Sequence, residues 1–194
     1  MNLYYNKQNS IPSVLLTVGK TDAAFELDLR GHFNLLTLQV INYNVKGIKL
    51  PKLSGLTVFQ SGGSTFVDLT QLDVSGFNSI YQILIDRTDN IIVVGYGGQS
   101  SLASIDLNEV KIAGAYITTV ESLLGNSSLL QVNFGGNNLS VLAVDTVLSD
   151  LDTNGLLNGT LNLSGGTNAA PTGGGANPNL LSLAGKGWVI NVNP

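Results

Sequence analysis

Residues 129–140 read LLQVNFGGNNLS. Leu129, Val132 and Phe134 are apolar, two spacers separate the first pair and one separates the second, and Gln131 and Asn133 fall between them. In a strand, alternate side chains point to opposite faces, so Val132 and Phe134 share one face and Gln131 and Asn133 the other. The same spacing returns along the chain at Leu53, Leu56 and Val58, at Leu69, Leu72 and Val74, and at Leu102, Ile105 and Leu107, then less completely at Leu161 and Leu163 and at Trp188 and Ile190. Measured between middle positions, Leu72 to Ile105 is 33 residues, Ile105 to Val132 is 27, Val132 to Leu161 is 29 and Leu161 to Val189 is 28, while Leu56 to Leu72 is only 16. Two further β-like runs, YQILI at 81–85 and NIIVVG at 90–95, lie inside the longest interval, which therefore holds an extra turn or a hairpin insertion.

A period of this length with one short apolar run per copy is the pattern of a solenoid, in which no turn buries its apolar face alone and stacked neighbours complete the core. The expected fold is mainly β with short helices, its strands aligned in a parallel sheet. Residues 1–50 carry alternating segments of another kind: VLLTV at 14–18, FELDLR at 25–30 and FNLLTLQVINYNV at 33–45. They predict an N-terminal β region that anchors or caps the solenoid of residues 51–194, arranged as an antiparallel hairpin or a β cap.

Composition narrows the function classes. The chain has 194 residues, enough for one domain with a sizeable core. Only 11% are charged, against about 25% in an average soluble domain, so Asn, Ser, Thr, Gln and Gly must cover the surface. A net charge of −4 with nine scattered Lys and Arg gives no basic track for phosphates, and nucleic acid is not an expected partner. Without cysteine there is neither a disulfide framework nor a thiolate metal site. The first twenty residues lack a basic leader followed by an apolar stretch, so export by a signal peptide is not expected. No window is apolar enough to predict membrane insertion.

LLQVNFGGNNLS resembles the leucine-rich-repeat pattern, in which an Asn, here Asn137, hydrogen-bonds backbone groups in the turn after the strand. SVLAVDTVLSDLDTNG then looks like that repeat's helical return arm, with Ser140 as N-cap, Leu142, Val147, Leu148 and Leu151 on the buried face, and Asn154-Gly155 as the stop. From AVDTVLSDLDTNG through GTLNLSGGTNAAPTG to LLSLAGKGWVINVN, residues 129–193 resemble a C-terminal module found in many phage virion proteins and phage-related bacterial proteins. That module consists of a repeat-like turn, a strand, a Ser-Gly-Gly-Thr-Asn and Ala-Pro loop, a short helix and a closing Gly-Trp-x-Val strand. The resemblance implies a non-enzymatic structural protein on the outer surface of a bacteriophage particle, of head-fibre, decoration or tail-fibre type. Its implied partners are other virion proteins, further copies of itself with a trimer as one candidate state, and a host-surface glycan or protein. The alternative is a carbohydrate- or protein-binding adhesin module of a bacterial surface protein.

Motifs that could carry chemistry are weak. GGTNAAPTGGG, residues 165–175, has no Gly-Lys-Ser/Thr, so a phosphate cradle is not expected; Gly165 and Gly166 supply positive φ, Asn168 tolerates it, and Pro171 keeps the chain extended. DLDTNG, with Asp150, Asp152, Asn154 and Gly155, copies the first half of a calcium loop, but its twelfth position is Leu161 where a Glu is needed. His32 is the only histidine and is expected in a turn. Glu26, Asp28, Asp68, Asp73 and Asp86 are dispersed over strands, not paired for glycoside hydrolysis. Trp188 is expected as a buried lid. Asn126, Asn138, Asn158 and Asn162 match the glycosylation acceptor pattern by chance in an Asn-rich chain. No catalytic, cofactor-binding or metal-ligating residue is assigned, and no cofactor is expected.

Overall fold

A computed structural model describes residues 13–17, 25–28, 36–41, 44–49, 55–66, 71–77, 79–90 and 92–194. In chain order its strands are β1 (Ser13–Thr17), β2 (Phe25–Asp28), β3 (Thr37–Ile41), β4 (Asn44–Lys49), β5 (Val58–Gly62), β6 (Thr65–Phe66), β7 (Gln71–Asp73), β8 (Gln82–Asp86), β9 (Ile92–Val94), β10 (Ser104–Asn108), β11 (Lys111–Ile112), β12 (Ala115–Tyr116), β13 (Gln131–Asn133), β14 (Thr160–Asn162) and β15 (Val189–Asn191). Helix α1 (Val141–Asn154) separates β13 from β14, and helix α2 (Pro178–Gly185) separates β14 from β15.

The strands form a parallel β-solenoid. Eight of them make one sheet in the order β1-β3-β5-β8-β10-β13-β14-β15. β2, β4 and β6 form a second parallel sheet, extended by the single-residue bridges Thr65↔Asp89 and Asp89↔Lys111, and β7 with β9 forms a third. The short hairpin β11–β12 is the antiparallel exception among the described residues.

Register pairs in the main sheet fix the period. Thr37, Val58, Gln82 and Ser104 lie side by side at spacings of 21, 24 and 22, while Ser104, Gln131, Thr160 and Val189 follow at 27, 29 and 29. The early coils return through short strands, the 27-residue coil adds the hairpin β11–β12, and the two 29-residue coils return through α1 and α2. Along the inward face Leu38, Phe59, Ile83, Ile105, Val132 and Leu161 occupy one rung after another and are all buried.

Three sequence expectations are corrected. The described strands of residues 1–50 pair parallel, β1 with β3 and β2 with β4, and β3 and β4 continue in parallel into β5 and β6, so the expected antiparallel hairpin does not form. Leu72 and Val74 do not belong to the main sheet: Leu72 lies on β7 in the third sheet, Val74 just beyond it, and the missing rungs are Phe59 and Ile83. Every side of a coil buries alternate residues, so the same apolar spacing arises on different sides. Leu142 is 76% exposed, and α1 instead buries Ala143, Val144, Val147, Leu148 and Leu151. Leu53, Leu69, Asp68 and His32 lie outside the described residues.

Corners create the main polar problem, because a backbone group that turns inward there must find a partner. Asn137, fully buried, donates from Nδ2 to the carbonyls of Leu107 (2.7 Å) and Phe134 (3.0 Å) and accepts from Val110 N–H at 3.0 Å. Asn168 repeats the arrangement one coil later, donating to Phe134 and Leu163 carbonyls, each at 2.9 Å, and accepting from Leu139 N–H at 2.8 Å. The repeat-type role expected for Asn137 is therefore what its side chain performs, whereas Asn168 turns inward instead of adopting positive φ.

The Gly- and Ala-rich stretch after β14 belongs to the folded unit. Gly165 and Gly166 have φ of 84° and 55°, and a Cβ on Gly166 would come within 2.5 Å of the Asn137 carbonyl oxygen. Thr167 and Ala169 N–H donate to the carbonyls of Asn137 and Leu139, both at 2.8 Å. Asp145 on α1 accepts from Thr172 N–H and from Asn177 Nδ2, while Asn177 Oδ1 caps α2 ahead of Pro178. Ser140 Oγ accepts from Ala143 N–H at the start of α1, and Gly155 ends that helix in the left-handed region.

Trp188 closes the stack as expected. It is buried, donates Nε1–H to the Leu156 carbonyl at 2.8 Å and lies over Gly159, where a Cβ would sit 2.5 Å from the ring. Removing residues 185–194 uncovers this rung, and we expect the shortened chain to aggregate; a truncated protein that stayed soluble with a cooperative thermal transition would contradict the closing role. Asn137→Ala should lower the unfolding free energy by roughly 2–4 kcal/mol, since the Leu107 carbonyl and Val110 N–H lose this partner and the Phe134 carbonyl keeps only Asn168. The exposed neighbour Asn138→Ala should cost less than about 1 kcal/mol. Urea unfolding of the two variants checks the difference.

Candidate functional site

All-parallel sheets are ordinarily covered on both faces. Here the inward face packs the core, and the outward face of the last five strands lines a shallow groove of about 560 Å³. Period-two geometry places two rows of side chains there. One row runs Gln82, Ser104, Gln131, Thr160 and Val189, and the other Leu84, Asp106, Asn133, Asn162 and Asn191.

The second row is a hydrogen-bonded ladder with a direction. Asn162 Nδ2 donates to Asn133 Oδ1 (2.9 Å), and Asn133 Nδ2 donates to Asp106 Oδ2 (3.0 Å). Each member also accepts from the N–H two residues on: Asp106 from Asn108 (3.0 Å), Asn133 from Gly135 (3.1 Å) and Asn162 from Ser164 (3.1 Å). Those local bonds hold the acceptor oxygens in place, which leaves each amide nitrogen facing the preceding strand. A carboxylate accepts without donating, so Asp106 ends the chain of donors. Beside it, Asn108 Nδ2 donates to Asp86 Oδ1 at 2.8 Å, and Gln39 with Gln60 repeats the amide contact at 2.7 Å in the early coils.

Burial pushes the Asp106 carboxyl above the usual carboxylate range; the bonds from Asn133 and Asn108 oppose this, and the nearby Asp86 charge adds to it. Asp152 shows the reverse balance. Burial would raise it, yet the Lys186 ammonium at 2.6 Å and a bond with Ser182 bring it below the ordinary value.

The residues singled out in sequence are not brought together. Glu26 and Asp28 lie on β2 in the second sheet, and Asp73 lies exposed on β7, its carboxyl held low by Ser75. Asp86 reaches the outward face, diagonal to Asp106. The half calcium loop is the last turn of α1, and its side chains serve separate protein partners: Asp150 accepts from Ser122 Oγ and Leu123 N–H, Asp152 pairs with Lys186, and Asn154 binds Gly125 N–H and the Leu123 carbonyl. Asn126 of the first glycosylation match is fully buried. Sequence reasoning missed Asp106, Asn133 and Asn162; the available signal was an Asp or Asn recurring at 27 and 29 residues, each followed two positions later by Asn, Gly or Ser.

Among the described residues no three His, Cys, Asp or Glu side chains converge as a metal site, and no helix is long and apolar enough to cross a membrane. Compared with protein-family models, curated proteins and solved structures, the chain gives no match.

A raised folded-state pKa means that the folded protein holds the Asp106 proton more tightly than the unfolded chain does. Asp106 therefore contributes stability at low pH that is lost as pH rises from about 3.9, the ordinary Asp value, through its raised folded value. We expect the stability-versus-pH curve of Asp106→Asn to lack this falling component, measured by urea unfolding across the acidic range. An Asp106→Asn curve superimposable in shape on that of the parent chain would contradict it.

Proposed function

We propose that this chain is a non-enzymatic structural component of a bacteriophage particle, a head-fibre, decoration or tail-fibre element that displays its polar sheet face for attachment. The observation that carries the reading is the outward ladder Asn162–Asn133–Asp106, whose side chains bond to one another and to their own backbone. Such an arrangement spends its polar groups on a rigid, patterned surface, and it gives no side chain the nucleophile-and-base geometry of a catalyst. The likeness of residues 129–193 to virion proteins supplies the setting, the outer surface of the particle. A parallel solenoid resists proteolysis because every coil is bonded to its neighbours, which suits an exposed particle protein.

In this reading the partners are other virion proteins, further copies of the chain and a host-surface glycan or protein. Self-association, with a trimer as one candidate state, is motivated by the open edge at β15, whose outer side has no strand partner among the described residues and whose Val189 is 63% exposed. A second reading, an adhesin module of a bacterial surface protein, is favoured by the groove on the same sheet face.

Mass spectrometry of purified particles should recover peptides of this chain at a fixed ratio to the major capsid protein. Recovery only from cell envelopes would replace the virion reading with the adhesin one. Light scattering at micromolar concentration should return a multiple of the chain mass, and a monomer would remove the self-association part.

A further inference from the structure

The groove on the outward sheet face is ligand-sized and carries partners that the protein itself leaves unused. Among the described residues, Gln82, Gln131 and Asn191 make no side-chain hydrogen bond, and Thr160 makes none. Asn133 and Asn162 each give one amide N–H to the ladder, which leaves a second N–H on the same nitrogen. These groups stand on β8, β13, β14 and β15, with Asp106 on β10 between them, so the five strands span a track roughly 19 Å long at about 4.8 Å per step.

Charge decides what fits the track. Among the described residues that line the groove, Asp106 is the one charged side chain, and none is Lys or Arg. A phosphate, sulfate or uronate chain would meet this carboxylate with no cation to compensate. A peptide gains its main recognition from sheet edges or from apolar pockets; the open edge at β15 lies at one end of the track and not along it, and the outward lining has only Leu84 and Val189 as apolar side chains. What remains is a neutral molecule with donors and acceptors along its length.

We propose that this face binds a neutral, linear oligosaccharide lying across the strands, its hydroxyls spaced along the amide and hydroxyl groups of Gln82, Gln131, Asn133, Thr160 and Asn162. The proposal rests on the display reading above and names the ligand class for it. The bonded ladder fixes Asn133 and Asn162 beforehand, so little side-chain entropy is lost on binding.

The test is titration of the full chain with neutral linear tetrasaccharides of glucose, galactose, mannose and N-acetylglucosamine, followed by the side-chain amide signals in nitrogen–proton NMR spectra. At least one sugar at millimolar concentration should shift the amides of Gln131, Asn133 and Asn162 while leaving the buried amides of Asn137 and Asn168 in place. The double substitution Gln131→Ala and Thr160→Ala removes two unbonded groups, so it keeps the fold; it should weaken binding about tenfold or more. Silence with all four sugars overturns the proposal. So do shifts produced only by carboxymethylated glucan, or only by a neutral Ser/Asn-rich peptide. The two readings fail separately: silent amides in a chain recovered from particles remove the ligand, and shifted amides in a chain missing from particles remove the virion setting and leave the ligand.

Discussion

At each corner of a parallel solenoid some backbone carbonyls and N–H groups turn inward, away from the strand ladder and away from water. An unpaired buried amide costs about 1–3 kcal/mol, and a stack repeats that cost at every coil. Asn137 and Asn168 resolve it with one side chain per corner, because a carboxamide has two donors and an acceptor and is short enough to bridge adjacent coils. Gln99 does related work farther back, donating to the carbonyls of Val74 and Gly95, and Asn193 does it at the end, donating to those of Gly165 and Asn168. With corners closed, strands stay in register, and register is what lines up the apolar rungs inside and the amide row outside.

The same constraint explains how coils of different length share one sheet. Between Gln82 and Ser104 the chain needs 22 residues, and between Gln131 and Thr160 it needs 29. The added residues form α1, whose buried stripe replaces the side strands of the earlier coils as the second wall of the core. In the following coil the Gly-, Ala- and Asn-rich loop leads into the short helix α2, and Asn168 anchors that loop inside while Asp145 ties it outside. Glycine is needed there for a specific reason: at Gly166 the chain passes so close to the Asn137 carbonyl that a methyl group has no room. Composition that resembles a linker is in this place the consequence of close packing.

Much of the fold was legible because period and alternation follow directly from strand geometry. Ile105, Val132 and Leu161 could be placed on one rung from spacing alone, as could the cap at Ser140 and the stop at Gly155. Legibility failed where one pattern has several structural origins. Leu72 carries the same apolar spacing as Ile105, but it lies on a side strand, and only pairing tells the two apart. Leu142 fits a helical stripe by composition, although it stands five positions before Val147, off the i+3/i+4 spacing, and faces solvent. For the outward face, the recurring Asp106, Asn133 and Asn162 were present in the sequence, but an isolated polar residue on a strand reads as solvated surface. Their side-chain contacts depend on register across coils, which a single coil does not reveal.

Direction in the outward ladder follows from this local turn chemistry. Once Asn133 Oδ1 is occupied by Gly135 N–H, its amide nitrogen must face the preceding coil, and the same holds for Asn162 through Ser164. All donors then point one way along the solenoid, and an acceptor without hydrogens is the side chain that can end the row without a clash. Asp106 meets that requirement, at the cost of a carboxylate held partly out of water beside Asp86. A ladder ordered for the sake of the strands thus leaves, as a by-product, a fixed row of outward N–H groups with one neutral-to-acidic end. A partner of this face meets amide N–H groups on β13 and β14 and a carboxylate on β10, and a hydroxyl, which both donates and accepts, suits either position.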